Sequence, residues 1–180
     1  TGDGLPMDEA RALALFKRAA INNHSPSALA VGHMYRKGKG VARDYDAAAH
    51  WYLKAANAGH RGAQFQMGLL HAEGQGVKRN EERVVFWHLK AARQGHLPAQ
   101  VNLGAMYIDG FGVARDEAHA LAWWALAAQE GDERASHNLD SLRHDVNGET
   151  LARAWRLTRK LKAQITNSPP SPPPLPRVDE

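Results

Sequence analysis

Histidine is the residue type best suited to chemistry in this 180-residue chain, because ten histidines are present and cysteine is absent. Three of them, His24, His60 and His96, recur at intervals of 36 residues. A zinc ion holds its ligands at about 2 Å, whereas packed helices lie about 8–10 Å apart. Histidines one repeat apart therefore cannot share an ion, and no H-x-x-x-H spacing joins the others on one helix. The sequence predicts no metal site and no cofactor.

Three glycine strings, GKGV, GQGV and GFGV, look superficially like phosphate-binding loops. A phosphate-binding loop follows a strand and carries a Lys-Ser or Lys-Thr pair at a fixed spacing. Each string here follows a predicted helix and lacks that pair, so we interpret its first glycine as a helix stop. Serine is rare and falls at loops or in the last repeat, so no Ser-His-Asp or Cys-His arrangement can be built. The sequence predicts that the chain is not an enzyme.

The composition argues against two further classes of protein. Apolar residues make up 43% of the chain and charged residues 23%, which is typical of a folded protein. The net charge is +4, but basic and acidic residues are interspersed, whereas nucleic-acid binders gather Lys and Arg on one face. No run of about 18 apolar residues occurs. We predict neither a nucleic-acid partner nor direct membrane insertion.

A period of 36 residues organises the chain and superimposes Trp51, Trp87 and Trp123, together with the glycine pairs of three loops. Each repeat is a supersecondary unit that cannot bury its apolar face alone, so neighbouring repeats must stack. We expect further sequence upstream, because the first repeat is incomplete. The predicted organisation is a repeat domain over 1–166, with a partial unit 2–26, units 27–62, 63–98 and 99–134 and a C-terminal capping unit 135–166, followed by a proline-rich tail over 167–180.

Two antiparallel helices joined by the glycine loop are predicted in each repeat, giving an all-α solenoid of about nine helices. The first helix contains an internal glycine (Gly32, Gly68 or Gly104). Glycine in a helix interior costs about 1 kcal/mol relative to alanine. Because it recurs in spite of this cost, we expect a neighbouring helix to approach closely there. Asp44, Asn80 and Asp116 are positioned to cap the second helix. The repeated tryptophans are interpreted as core residues, whereas Tyr52 and Trp124 are expected to be partly exposed on the convex side.

The recurring pattern A-x-x-x-[LM]-G-x-x-[YH]-x-x-G-x-G-V-x-x-[DN]-x-x-x-[AV]-x-x-W-x-x-x-A-A-x-x-G-H covers about residues 2 to 145 and resembles the Sel-one-like repeat (SLR) family, a relative of the tetratricopeptide repeats. His71 departs from it where Tyr35 and Tyr107 stand, and Asp140 replaces the internal glycine of the last repeat. The resemblance implies a right-handed α-solenoid that acts as a non-catalytic adaptor. It also implies a bacterial source and a periplasmic or envelope-associated location.

A binding site follows from the same resemblance, because the first helices of tetratricopeptide-like stacks line a concave face. The inward positions of the middle repeats are apolar although the fold does not require it, and an exposed apolar patch usually marks a binding surface. The alternative left open is that curvature buries these side chains against neighbouring repeats. The predicted groove for a protein or peptide partner is formed by Leu29, His33, Arg36, Phe65, Leu69, Ala72, Val101, Asn102, Ala105, Ile108, His137 and His144.

Two functional hypotheses remain open at this point. The first is a non-enzymatic protein–protein interaction module. The second is a localisation or regulatory scaffold domain of a larger, membrane-anchored envelope protein. The tail over 167–180 favours polyproline II, so it is either a solvated linker or a peptide that docks on this chain or on a neighbour.

Overall fold

Residues 5–166 are described by the computed structural model, and they form nine α-helices without strands, which confirms the predicted all-α repeat solenoid. The proposed tail over 167–180 lies outside the described residues. The helices are α1 Leu5–Ile21, α2 Ser25–Lys37, α3 Tyr45–Asn57, α4 Arg61–Glu73, α5 Glu81–Ala92, α6 Leu97–Asp109, α7 Glu117–Gln129, α8 Glu133–Arg143 and α9 Gly148–Thr166.

These helices fall into two compact halves, over 5–79 and 80–166. In the N-terminal half, α1 packs on α2, α2 on α3 and α3 on α4. In the C-terminal half, α5 packs on α6 and α6 on α7, and α7 then contacts both α8 and α9. Because the connecting loops are short, neighbouring helices within each half run antiparallel. We call α2, α4, α6 and α8 the first helices of their repeats.

Both glycines of each G-x-G loop have a structural role. The first, at Gly38, Gly74 and Gly110, ends its helix in the left-handed conformation, with φ between 69° and 71°, which glycine adopts without steric cost. The second approaches the preceding repeat. A Cβ on Gly76 would lie closer than 3.0 Å to the carbonyl oxygen of Tyr45. Gly40 and Gly112 are as close to the backbones of α1 and α5.

Gly32 and Gly104 make room for an aromatic ring of the next helix, which confirms for these two positions the close helix approach that the recurring glycine predicted. A Cβ on Gly32 would lie closer than 3.0 Å to the ring of Tyr52, and a Cβ on Gly104 equally close to the ring of Trp124. The exposed fractions of Tyr52 and Trp124 are accordingly 0% and 6%. The prediction that these two residues are partly exposed was wrong, because each ring fills the space above a glycine.

Side-chain caps start the second helices as predicted. Asp44 Oδ1 accepts a hydrogen bond from Ala47 N at 2.9 Å at the start of α3. Asn80 and Asp116 do the same for α5 and α7. These bonds satisfy one of the four backbone donors that a helix N-terminus leaves unpaired.

Replacing Asp44 with alanine should therefore lower the free energy of unfolding by about 1 kcal/mol, because the capping bond is lost. The matched control is Asp44→Asn, which keeps an oxygen acceptor as Asn80 does in the next repeat. Urea unfolding followed by circular dichroism would measure both variants. Equal losses in the two variants would contradict the capping role.

Candidate interaction surface

The predicted binding residues lie on the four first helices, except His144, which directly follows α8, and each half of the chain carries six of them. In the N-terminal half, Leu29, His33 and Arg36 come from α2 and Phe65, Leu69 and Ala72 from α4, and all six are half-buried. In the C-terminal half, burial differs from residue to residue. Val101 is buried, Asn102 and Ile108 are half-buried, and Ala105, His137 and His144 are exposed.

A hydrogen-bonded chain joins three side chains of the N-terminal half. The Tyr52 hydroxyl lies 2.8 Å from His33 Nδ1, and their rings meet edge to face at 5.2 Å. Arg36 also forms a hydrogen bond with Tyr52. Burial raises the pKa of Tyr52 to about 12, against the opposing charge of Arg36. Tyr52 therefore keeps its proton at neutral pH and donates it to His33 Nδ1.

His33 is uncharged at neutral pH. Burial, followed by the positive charges of Arg36 and Lys37 and the neighbouring His60, lowers the pKa of His33 to about 4. Because Nδ1 accepts from Tyr52, the proton of the neutral ring resides on Nε2. The ring thus presents a donor rather than a charge.

Arg36 carries the main unbalanced charge of this cluster. No carboxylate pairs with it among the described residues, and its buried Nε has no hydrogen-bond partner there. A buried donor without an acceptor costs about 1–3 kcal/mol.

The apolar part of the N-terminal face lies between α2 and α4. Leu29 Cδ2 on α2 lies 3.6 Å from the position that a Cβ on Gly62 of α4 would occupy. The two helices therefore approach each other closely at this point. Phe65 and Leu69 follow on α4, one turn apart and half-buried. Each retains apolar surface that no repeat requirement accounts for.

Val101 belongs to the core of the C-terminal half. Its exposed fraction is 7%, and it packs with Trp124 and Ala135. Its carbonyl oxygen accepts a hydrogen bond from Trp124 Nε1 at 3.0 Å. For Val101, the alternative that the side chain is buried rather than exposed in a groove is therefore correct. Ile108 is partly covered by the same cluster.

Asn102 is held by a buried histidine. His88 Nδ1 donates to the carbonyl oxygen of Val84 at 2.9 Å, within α5. Its Nε2 lies 3.4 Å from Asn102 Nδ2 and accepts from it. Burial lowers the pKa of His88 to about 4, although its hydrogen bond to Val84 opposes the shift. The Asn102 side-chain oxygen remains as an acceptor for a partner.

Sequence reasoning missed these polar pairings, although one signal pointed to them. Tyr52, His88 and Trp124 occupy the same repeat position and all carry a hydrogen-bonding group on a ring. When such a ring is buried, its polar atom requires a partner. The repeat therefore predicts that a partner exists, but the partner differs in each repeat.

A third cluster, also missed, joins α7 to α9. His119 Nδ1 lies 2.8 Å from Asp116 Oδ2, which also accepts a hydrogen bond from Arg153. Tyr107 stacks on the His119 ring at 4.8 Å. Burial alone would raise the pKa of Asp116, but the hydrogen bonds from His119 and then from Arg153 hold it below its usual range. The cluster links the capping residue of α7 to the last helix.

The three recurring histidines lie at helix starts. His60 Nδ1 accepts from Ala63 N at 3.3 Å, and His24 Nδ1 lies 2.8 Å from Ser27 Oγ. His96 occupies the same capping position before α6. Across the described residues, no group of three or more potential ligands is placed to hold a metal ion. No helix within 5–166 is long and apolar enough to cross a membrane.

Stacked antiparallel helix pairs with partly exposed first helices define an α-helical repeat scaffold. The model of the Sel1 repeat matches residues 1–24, 25–60, 62–96 and 97–132, which together make up more than half of the chain. The chain therefore belongs to the Sel1 repeat family. The Sel1 fold generally serves as a protein–protein interaction module and is typically non-catalytic.

Solved structures of the same fold include a Sel1 repeat protein from Oxalobacter formigenes, with 29% sequence identity and a TM-score of 0.71. The match covers 84% of this chain and 64% of that one. A protective antigen of uropathogenic Escherichia coli strains with an SLR fold gives 24% identity and a TM-score of 0.64, over 92% of this chain and 45% of the antigen.

Helicobacter pylori cysteine rich protein B shares the fold at 18% identity and a TM-score of 0.61, over 77% of this chain and all of that chain. The chain thus spans less than two thirds of the Oxalobacter and Escherichia proteins. No curated protein sequence gives a significant match.

Proposed function

We propose that this chain is a non-enzymatic interaction module that binds a peptide or a partner protein on the exposed sides of its first helices. The observation that carries the proposal is the partial exposure of Phe65 and Leu69 at positions where the repeat does not require apolar residues. Neighbouring exposed apolar side chains on a folded protein mark an interaction site more often than scattered single ones do.

The N-terminal face, formed by Leu29, His33, Arg36, Phe65, Leu69 and Ala72, combines apolar area with directional groups. Covering the remaining surface of Phe65 and Leu69 would contribute on the order of 1 kcal/mol for each side chain. Arg36 would orient the partner, because its guanidinium group has no carboxylate within the described residues. His33 would add a neutral donor through Nε2.

The C-terminal face is more polar. Ala105 and Ile108 supply a small apolar area on α6, while His137 and His144 are exposed on α8 and at its end. Asn102, which lies on α6 with Ala105 and Ile108, contributes a side-chain amide oxygen. Val101 has a packing role and is not part of the proposed contact.

The test compares a face variant with a matched control. The face variant combines Phe65→Asp with Ala105→Asp, and the control combines Phe86→Asp with Ala114→Asp. Phe86 is 40% exposed but lies on the second helix α5, and Ala114 lies in an exposed loop. Both variants add two carboxylates, so a general charge effect would appear in both.

A partner recovered with the wild-type chain would be purified and its dissociation constant measured by calorimetry. We expect the face variant to weaken binding at least about tenfold, the scale of one interfacial anchor, while the control stays within about twofold. Thermal unfolding verifies that both variants are folded. If the face variant does not fold, Phe65→Ala replaces it in the binding measurement. Equal affinity of the folded face variant and the control would overturn the proposal.

A localisation or regulatory scaffold is the second candidate function. The same faces would then hold a partner at one place in the cell without altering it. The envelope or periplasmic location stays a prediction from the family resemblance. If the scaffold function is correct, the partner would lose its localisation in cells that carry the face variant and would keep it in cells that carry the control.

A further inference from the structure

The last helix, α9, has two faces of opposite character. Ala154, Thr158 and Leu161 are buried along one side, and Leu151 and Leu157 are half-buried beside them. That side packs on α7, where Ala118 and Leu121 belong to the same apolar cluster. The buried side fixes the rotation of the helix, so the opposite side must face outward.

The outward side carries one tryptophan and three cations. Trp155 is 47% exposed, and Arg156, Arg159 and Lys160 are all exposed. Their spacing places Trp155 beside Arg159, and Arg156 beside Lys160, on successive turns. We call these four residues the basic face of α9.

These three cations have no carboxylate partner among the described residues, whereas two neighbouring cations on the same helix have side-chain acceptors. Arg153 pairs with Asp116, and Lys162 donates to Gln129 Oε1 at 2.8 Å. Like charges three or four residues apart destabilise a helix. The repulsion among these cations therefore destabilises the helix, and no carboxylate within residues 5–166 pairs with them to offset it.

We propose that the basic face of α9 adsorbs to a lipid surface that carries anionic headgroups. Tryptophan concentrates at membrane–water interfaces because its ring is apolar and its N–H is polar. Arginine and lysine are attracted to the negative potential of anionic lipids. The face supplies both, and it holds them on a helix that is already folded against α7.

A flat surface fits this face better than a nucleic-acid strand does. Proteins that bind single strands generally provide a groove and several aromatic side chains on which successive bases stack. The basic face is the convex side of a single helix, and it carries one aromatic residue. Adsorption also requires no spanning helix, and none is found within the described residues.

Co-sedimentation with lipid vesicles tests the proposal on the full chain. Vesicles of phosphatidylcholine containing about 30% phosphatidylglycerol are compared with pure phosphatidylcholine vesicles, at about 0.1 M and about 0.5 M salt. The test variant is Arg156→Gln, Arg159→Gln and Lys160→Gln. The control, Arg11→Gln, Arg18→Gln and Lys78→Gln, removes the same charge from exposed positions elsewhere.

We expect the wild-type chain to bind the anionic vesicles and to release them at the higher salt concentration. The test variant should lower the partition coefficient roughly 100-fold, from the attraction that each basic residue contributes, while the control retains most of the binding. Trp155→Ala should lower it about tenfold, because the apolar ring is lost. Circular dichroism establishes that each variant is folded.

Three results would each overturn the proposal. The first is equal wild-type binding to anionic and to pure phosphatidylcholine vesicles. The second is an equal loss of binding in the test and control variants. The third is a chain that ignores the vesicles but binds a mixed-sequence single-stranded RNA, which would assign the face to nucleic acid. All three leave the proposal for the first-helix faces intact, because α9 is not part of them.

Discussion

Replacing Gly104 with alanine should lower the free energy of unfolding by about 3 kcal/mol. The added Cβ would lie closer than 3.0 Å to the Trp124 ring. That ring is 6% exposed and donates a hydrogen bond to Val101, so it cannot move aside without losing packing and a partner. This cost exceeds the gain of about 1 kcal/mol that alanine brings to a helix interior.

Gly148→Ala is the matched control, because a Cβ on this first residue of α9 would meet nothing within 4 Å. Its free energy of unfolding should stay within about 0.5 kcal/mol of wild type. Urea unfolding of both variants measures the difference. A Gly104→Ala variant as stable as wild type would mean that Trp124 does not need the glycine.

Acidification should destabilise the chain through His88. Its pKa is about 4 in the folded state and about 6.5 in the unfolded chain, so the unfolded state binds the proton first. The stability that His88 contributes is fully present above pH 6.5 and is lost as the pH falls towards 4. Because the ring is 1% exposed, we expect a loss of about 3 kcal/mol over that interval.

The variant His88→Gln isolates this effect, because glutamine does not titrate. Free energies of unfolding measured at several values between pH 7 and pH 4 should fall more steeply for wild type than for the variant. The difference between the two slopes, rather than the absolute stability, is the quantity to compare. Parallel pH profiles would show that the pKa of His88 is the same in the folded and the unfolded states, and would contradict the prediction.

The local features of the fold were predictable because each depends on a few adjacent residues. The glycine after each first helix ends it, and Asp44 or its counterpart caps the next helix, so both helix boundaries could be located from the sequence. The internal glycines even indicated a close approach. All of these recur every 36 residues, and recurrence separates a structural requirement from chance.

The identity of each contact could not be predicted, because it depends on residues that do not recur. Val101 stands at a position predicted for the groove, yet Trp124 and Ala135 cover it. Tyr52 finds its partner in His33, 19 residues earlier, whereas Trp124 uses a backbone carbonyl. A pattern of similar residues carries no information about these individual pairings, and the polarity of the two first-helix faces depends on them.

Surface loops in most proteins accept insertions and deletions easily. The loops at Gly40, Gly76 and Gly112 differ, because the second glycine of each lies against the backbone of the preceding repeat. An added or missing residue would lift the loop away from that backbone and open a gap between two helix pairs. The middle residue of the loop, which is Lys39, Gln75 or Phe111, is free to change in type, but the loop is not free to change in length. Gap-free spacing over three successive copies is the trace that this restriction leaves in the sequence.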